Sequence, residues 1–255
     1  MAASGGARGG TVAPSRVRAR ADDHFRHGSI AMTSQEQDGT GAGTTLVDLL
    51  RRRAEEEPEA EAFASLTEGQ GGPPGLTFGE LDREARAIAA ALQRAGVEPG
   101  ERALLFYPPG AALLPALFGC LYAGVVAVAA HAPRGGERPP AWLLELLADC
   151  RPAIALTSVG ALVPCRAAVA GAGPLEEVPW LVTDAISPAS ARAFCEVPLG
   201  PDTAAVLHFP SGPAAFAAGV TVTHGRLLGP ASGAGLSGPH RAPWLPLLRE
   251  LARAA

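Results

Sequence analysis

Not one lysine occurs in this chain of 255 residues; all 21 basic side chains are arginine. Any mechanism that needs a lysine ammonium is therefore excluded within the chain. Aromatic residues are scarce at 5%, so an apolar fraction of 47% must build its core mostly from Ala, Leu and Val. The four cysteines, Cys120, Cys150, Cys165 and Cys195, form no C-x-x-C pair. Their apolar or helical surroundings favour buried free thiols over disulfides or zinc ligands, and a reducing cytoplasm suits them. The six histidines lack H-x-x-x-H and H-E-x-x-H spacing, and no metal site can be assembled from them. A formal net charge of −4 offers no electrostatic reason to expect nucleic acid or acidic lipid as a partner. No charged residue lies between Arg102 and Arg134, so a membrane helix has to be weighed. Pro108, Pro109, Gly110 and Pro115 chop that run, and its flanks read as strand, helix, strand, which favours a buried unit over a span.

Residues 1–44 are rich in Gly, Ala, Ser, Thr and Arg without apolar periodicity, and are expected to be disordered. They carry neither the apolar core of a secretory signal nor the amphipathic face of a transit peptide. Met32 is an alternative start that would remove this arm. From Thr45 the pattern changes. Thr45 precedes an apolar-periodic run (Leu46, Leu49, Leu50) that stops at Pro58, a surface helix. After a Gly/Pro turn at 69–75, Leu81, Ala85, Ile88, Ala89 and Leu92 recur at helical spacing, with Thr77 as cap and Gly96 after the last turn; this predicts a helix over 78–95. The alternation then continues with a strand at 102–107, an apolar helix with Pro115 in its first turn, and the strand VVAVAA. Next come a helix at 139–150, a strand at 152–158, a helix over GALVPCRAAVAGAG, a strand at 178–184, a Pro-rich connection at 186–203 and a strand at 204–209. Strands alternating with helices predict an α/β fold: a layered, mostly parallel sheet with flanking helices. Ligands in such sheets bind beyond the carboxyl ends of the strands, where the loop at 210–219 would lie.

The stretch AAVLHFPSGPAAFAAGVTVTHGRLL, residues 204–228, has the outline of a phosphate loop: an apolar strand, a small-residue loop, a second β-rich run and a helix start. LTFGELDREARAIAAALQRAGVEPGERALLFYPPG, followed by LFGCLYAGVVAVAAHAPR, resembles the opening of the adenylate-forming (AMP-binding) ligases. YPPG and GCLYAGVVAV are most similar to the fatty acyl-AMP ligase branch, and HGRLL resembles the segment after that family's phosphate loop. The resemblance covers about Thr45 to Leu228 and implies activation of a fatty acid by ATP and magnesium to an acyl-adenylate. It implies as partners a fatty acid and an acyl carrier protein or coenzyme A. In domain terms it implies a partial adenylation domain at 45–228; the residues at 229–255 read as a linker and a short amphipathic helix (Leu245, Leu248, Leu251).

The family loop reads Thr-Ser-Gly-Ser/Thr-Thr-Gly-x-Pro-Lys-Gly. Against it only Ser211, Gly212 and Gly219 match, and these are the remnant nucleotide-binding residues. Pro210 and Pro213 each delete an N–H, Ala214 removes a hydroxyl, Ala215 stiffens a hinge, and Ala218 stands where the family has its cation. Hydrogen bonds to charged groups contribute roughly 1.5–3 kcal/mol each, so two or three losses weaken triphosphate binding by about a thousandfold. Everything the family places downstream, including the acid pocket and the mobile C-terminal domain with its lysine, is missing after Leu228. The expectation is a truncated ligase relative without catalytic residues of its own. Its alternative is a docking module in which the Leu245–Leu251 helix or an uncovered sheet edge binds a synthase partner, or self-association of the chain. Gly233, Gly235 and Gly238 satisfy G-x-G-x-x-G, but they follow a helix, run into Pro239, and read as linker. No G-x-S-x-G exists for a serine hydrolase. His208 reads as a core or ring-stacking residue and His224 as a cap or substrate-side residue. Asp184 and Asp202 read as turn or cap residues, and Tyr107 and Trp142 as packing residues.

Overall fold

The computed structural model describes residues 44–63, 75–107, 112–130, 141–170, 173–209 and 219–229, with the side chains of 141, 142, 168, 174 and 175 outside that set. The arm at 1–43, the loop residues 210–218, including Ser211 and Gly212, the Gly233–Gly238 motif and the 245–251 helix lie outside the described residues.

Helix α1 (Leu46–Glu56) starts where a capping box closes it: the Asp48 N–H donates to Thr45 Oγ1 at 3.1 Å and the Thr45 N–H to Asp48 Oδ2 at 2.9 Å. Its buried face is Leu46, Val47, Leu49 and Leu50. The pair β1 (Glu61–Phe63) and β2 (Leu76–Thr77) forms a small antiparallel sheet that pattern reading did not anticipate. Strands of two or three residues carry no readable period. Helix α2 (Phe78–Arg94) repeats the capping box with Thr77 and Glu80. It ends at Ala95-Gly96-Val97, where Gly96 at φ +79° lets the Val97 N–H reach the Leu92 carbonyl at 3.1 Å. Helix α3 (Leu113–Tyr122) ends the same way at Ala123-Gly124-Val125, with Gly124 at φ +67° and the Val125 N–H on the Cys120 carbonyl at 2.9 Å. A side chain at either glycine would occupy the left-handed region at a cost of about 1 kcal/mol or more.

The main sheet holds β3 (Arg102–Phe106), β4 (Val126–Ala130), β5 (Ile154–Thr157), β6 (Trp180–Val182), β7 (Ala204–His208) and β8 (Val220–Thr223) in the order β6-β5-β3-β4-β7-β8. Neighbours are parallel except β7 and β8, which pair antiparallel at one edge. The layered α/β expectation therefore holds. Alternation along β3 sorts the core: Ala103, Leu105 and Tyr107 join the layer of α1, α2 and α3, while Leu104 and Phe106 join that of α4 (Ala141–Cys150) and α5 (Val159–Val169). Phe106 stacks on Trp180 with ring centroids 5.5 Å apart.

Helix α3 is buried along its whole length, and its Gly119 lies so close to α2 that an added Cβ would sit 2.5 Å from Ile88 Cγ2. A polar cluster running from buried Tyr122 and Asp82 out to exposed Glu196 ties the same layer together. The Tyr122 hydroxyl donates to Asp82, Arg86 pairs with Asp82, and the Arg51 guanidinium lies 4.9 Å from the Tyr122 ring centroid while bonding Glu196.

Two boundaries differ from expectation. Strand β6 stops at Val182 because 183–185 turn as a 3-10 helix, and the 186–203 connection contains a further 3-10 turn, Pro188–Ala193, capped by Ser187. Cys120, Cys150 and Cys165 are free and buried as expected, but Cys195 is exposed. It follows that 3-10 turn, where its N–H and carbonyl bond the Gln93 amide at 3.0 and 2.7 Å and leave the side chain outside. Among the described residues no helix is long and apolar enough to cross a membrane.

Candidate functional site

Strand β7 runs parallel to β4, with Ala127 opposite Val206, so the 210–219 loop departs from a carboxyl end of the sheet. The chain returns as β8, and the His208–Val220 pairing brings the two ends of the loop together. The loop is therefore a hairpin connection between antiparallel strands, not a strand-to-helix turn. Helix α6 (His224–Leu228) begins only after β8, so it adds no helix N-terminus directly behind the loop. Anion binding there would rest on loop amides and side chains alone.

Of the three matching loop residues only Gly219 is described. Its N–H donates to Asp149 Oδ2, near the end of α4, at 3.2 Å. A Cβ at 219 would stand 2.8 Å from both Leu207 Cδ1 and Phe209 Cζ, so the position is kept small by packing against the strand that enters the loop. The Gly219 amide is thus already given to a carboxylate. Among the described residues no group of His, Cys, Asp or Glu is placed to hold a metal ion.

His208 is half-buried, and burial lowers its pKa. His224 is fully buried, and its Nδ1 accepts the N–H of Leu46 at 3.3 Å. It is a cap, as one of its two sequence readings held, but for a helix 178 residues away in sequence rather than for its own. The N-cap of α6 is Thr223. Burial pushes the His224 pKa down to about 4, partly opposed by the Asp48 carboxylate. The ring is thus neutral at pH 7, with the Nε2 hydrogen left without a partner.

Asp184 is likewise a cap for a distant helix: its carboxylate accepts the Val159 N–H at 2.8 and 3.1 Å, supplying α5 with the bond that Ser158 does not make. Tyr107 is buried, and its hydroxyl is 2.6 Å from Thr183 Oγ1, so it packs as expected while making a polar contact that no local pattern announces. Asp202 lies in the turn that precedes β7.

Residues 50–244 match the AMP-binding enzyme family. The medium-chain-fatty-acid–[acyl-carrier-protein] ligase JamA of Moorena producens is 35% identical over 188 residues, which cover 72% of this chain and 32% of that protein. The long-chain-fatty-acid–AMP ligase FadD32 of Mycolicibacterium smegmatis is 30% identical over 187 residues, 71% of this chain and 29% of that one. The crystal structure of a fatty acyl-adenylate ligase from L. pneumophila, in complex with acyl adenylate and pyrophosphate, superposes with a TM-score of 0.62 at 28% identity, covering 72% of this chain and 31% of that one. The chain thus spans about a third of the length of these relatives. Its sheet order, its capped helices and these likenesses converge on one conclusion: the chain belongs to the AMP-binding enzyme family, among relatives of the fatty acyl-AMP ligase kind.

Proposed function

We propose that residues 45–228 are the adenylation-domain portion of a fatty acyl-AMP ligase-like protein, and that the chain does not catalyse adenylation alone. The family reaction joins a fatty acid to ATP, with magnesium, to give an acyl-adenylate that passes to a carrier protein. The observation that carries the negative part is the loop composition: Pro210, Pro213, Ala214 and Ala218 replace donors, leaving Ser211, Gly212 and Gly219 as a remnant. The Gly219–Asp149 bond supports this, because it puts an acceptor carboxylate on an amide that a phosphate would otherwise use. On this reading 229–255 is a linker and short helix, and the protein works in the cytoplasm. Titrating ATP with magnesium into the full chain is expected to give no saturable binding at millimolar nucleotide, and no fatty-acid-dependent release of pyrophosphate. A saturating isotherm refutes the reading.

A second reading, a docking module for a lipid, polyketide or nonribosomal peptide synthase partner, draws on Leu144, Val159 and Val163, which are 41%, 60% and 75% exposed on α4 and α5. It shares the flat ATP titration. It adds that Val163→Glu abolishes a defined complex with the synthase, and an unchanged complex removes it.

A further inference from the structure

At the carboxyl ends of β3, β5 and β6 the structure holds a cleft of about 260 Å³. The chain leaving β3 turns toward β4, whereas the chain leaving β5 turns toward β6 on the other side. The cleft therefore lies where the sheet reverses its winding, the place where parallel sheets leave a crevice for ligands. Strand β7, from which the 210–219 loop departs, lies beyond β4 on the far side of β3.

The lining has a definite chemical sense. Ile88 of α2, Pro115 of α3 and Ile186 supply apolar wall, and Glu84 and Asp184 supply carboxylates, with no basic side chain among the described lining residues. The hydroxyls also present acceptors. Thr183 Oγ1 donates to the Thr157 carbonyl at 3.4 Å, so the Tyr107 hydroxyl, 2.6 Å away, donates to Thr183. Both hydroxyl hydrogens are spent, and lone pairs remain. The Asp184 carboxylate takes the Val159 N–H and keeps further acceptor capacity. Burial and the neighbouring Glu80 charge raise the Glu84 pKa, as expected for a carboxylate short of counter-charge, with Arg83 offsetting only part of this.

We propose that this cleft binds a small organic cation, a primary ammonium on a short alkyl chain, with the ammonium at Glu84 and Asp184 and the chain against Ile88 and Ile186. A fatty-acid carboxylate or a phosphate would meet two like charges there and, among the described lining hydroxyls, only Ser158 free to donate. The volume falls below the roughly 300 Å³ at which drug-sized pockets begin, which sets the ligand at a few heavy atoms.

The test titrates n-butylammonium chloride into the full chain at constant ionic strength, with sodium butyrate as the charge-reversed counterpart, reading amide shifts at Ser158 and Thr183. Saturable binding of the amine with a Kd of about millimolar size, and none of butyrate, is expected. Glu84→Gln keeps the shape and weakens binding about tenfold. Its unfolding midpoint is checked alongside, and Asp184→Asn, which retains a capping oxygen, serves if that midpoint falls. Equal response to amine and butyrate, absence of saturation, or unchanged affinity in the folded variant overturns the proposal. The outcome is read apart from the ATP titration, because the cleft lies at β3, β5 and β6 whereas the loop departs from β7, beyond β4.

Discussion

Lowering the pH should uncouple α1 from the β8–α6 corner through His224. The Leu46 N–H is one of the orphan donors at the start of α1, and His224 Nδ1 is its acceptor at 3.3 Å in a site closed to solvent. Protonation would place a second N–H against that donor and bury a charge, which is why burial holds the folded pKa down to about 4. The unfolded value is about 6.5. Above that, the ring is neutral in both states and the stability is complete. As pH falls below it, the unfolded chain takes up a proton that the native state refuses, so stability drops until the folded group also titrates near 4. At 1.36 kcal/mol per unit, the full difference is about 3 kcal/mol, of which about 2 kcal/mol is lost between pH 7 and pH 5.

Urea unfolding at pH 7, 6 and 5 measures this loss, and His224→Asn isolates it. Asparagine offers an acceptor oxygen but cannot take up the proton. His208, whose pKa burial also lowers, adds a background that cancels in the comparison. The expected outcome is a variant of lower stability at pH 7 whose decline toward pH 5 is shallower than that of the parent by about 2 kcal/mol. Parallel pH profiles for the two proteins, or a parent whose stability rises as the pH falls, would refute the coupling.

Thiol chemistry should divide the cysteines. Exposed Cys195 should react with a soluble maleimide at pH 7 within minutes. Cys120 and Cys150, buried and pushed up to about 12, should react only on unfolding, and mass mapping that finds them labelled at the rate of Cys195 would contradict the packing. Gly119→Ala should lower stability by about 1–3 kcal/mol, because the new methyl would press on Ile88 across a fully packed helix pair; an unchanged urea midpoint would show that α2 can step away.

Local chemistry was legible where the signal is local. Thr45 with Asp48, Thr77 with Glu80, and the Ala-Gly-Val ends of α2 and α3 are three- and four-residue patterns whose hydrogen bonds close within one turn. The alternation of strands and helices announces a parallel sheet, because such strands need crossovers. Strand order is another matter: it depends on which helix covers which face, so β5 lying on the far side of β3 from β4 leaves no mark in either strand. The same holds for the caps that His224 gives α1 and Asp184 gives α5, which join residues 178 and 25 positions apart. The exposure of Cys195 was not legible for a related reason, since its neighbours in sequence say nothing of the Gln93 amide that fixes its backbone.

Gly219 shows why a motif match and a functional residue are different things. It agrees with the family's loop, yet its freedom from a side chain is already required by Leu207 and Phe209, and its N–H is already bonded to Asp149. A glycine held in place by two neighbours would persist whether or not a phosphate ever approached it. On the proposed function, Pro210, Pro213, Ala214 and Ala218 stand where the family pattern has donors for the nucleotide. At 219 the match is thus one that packing accounts for. Titration of ATP into the full chain is therefore what separates membership in the family from possession of its activity.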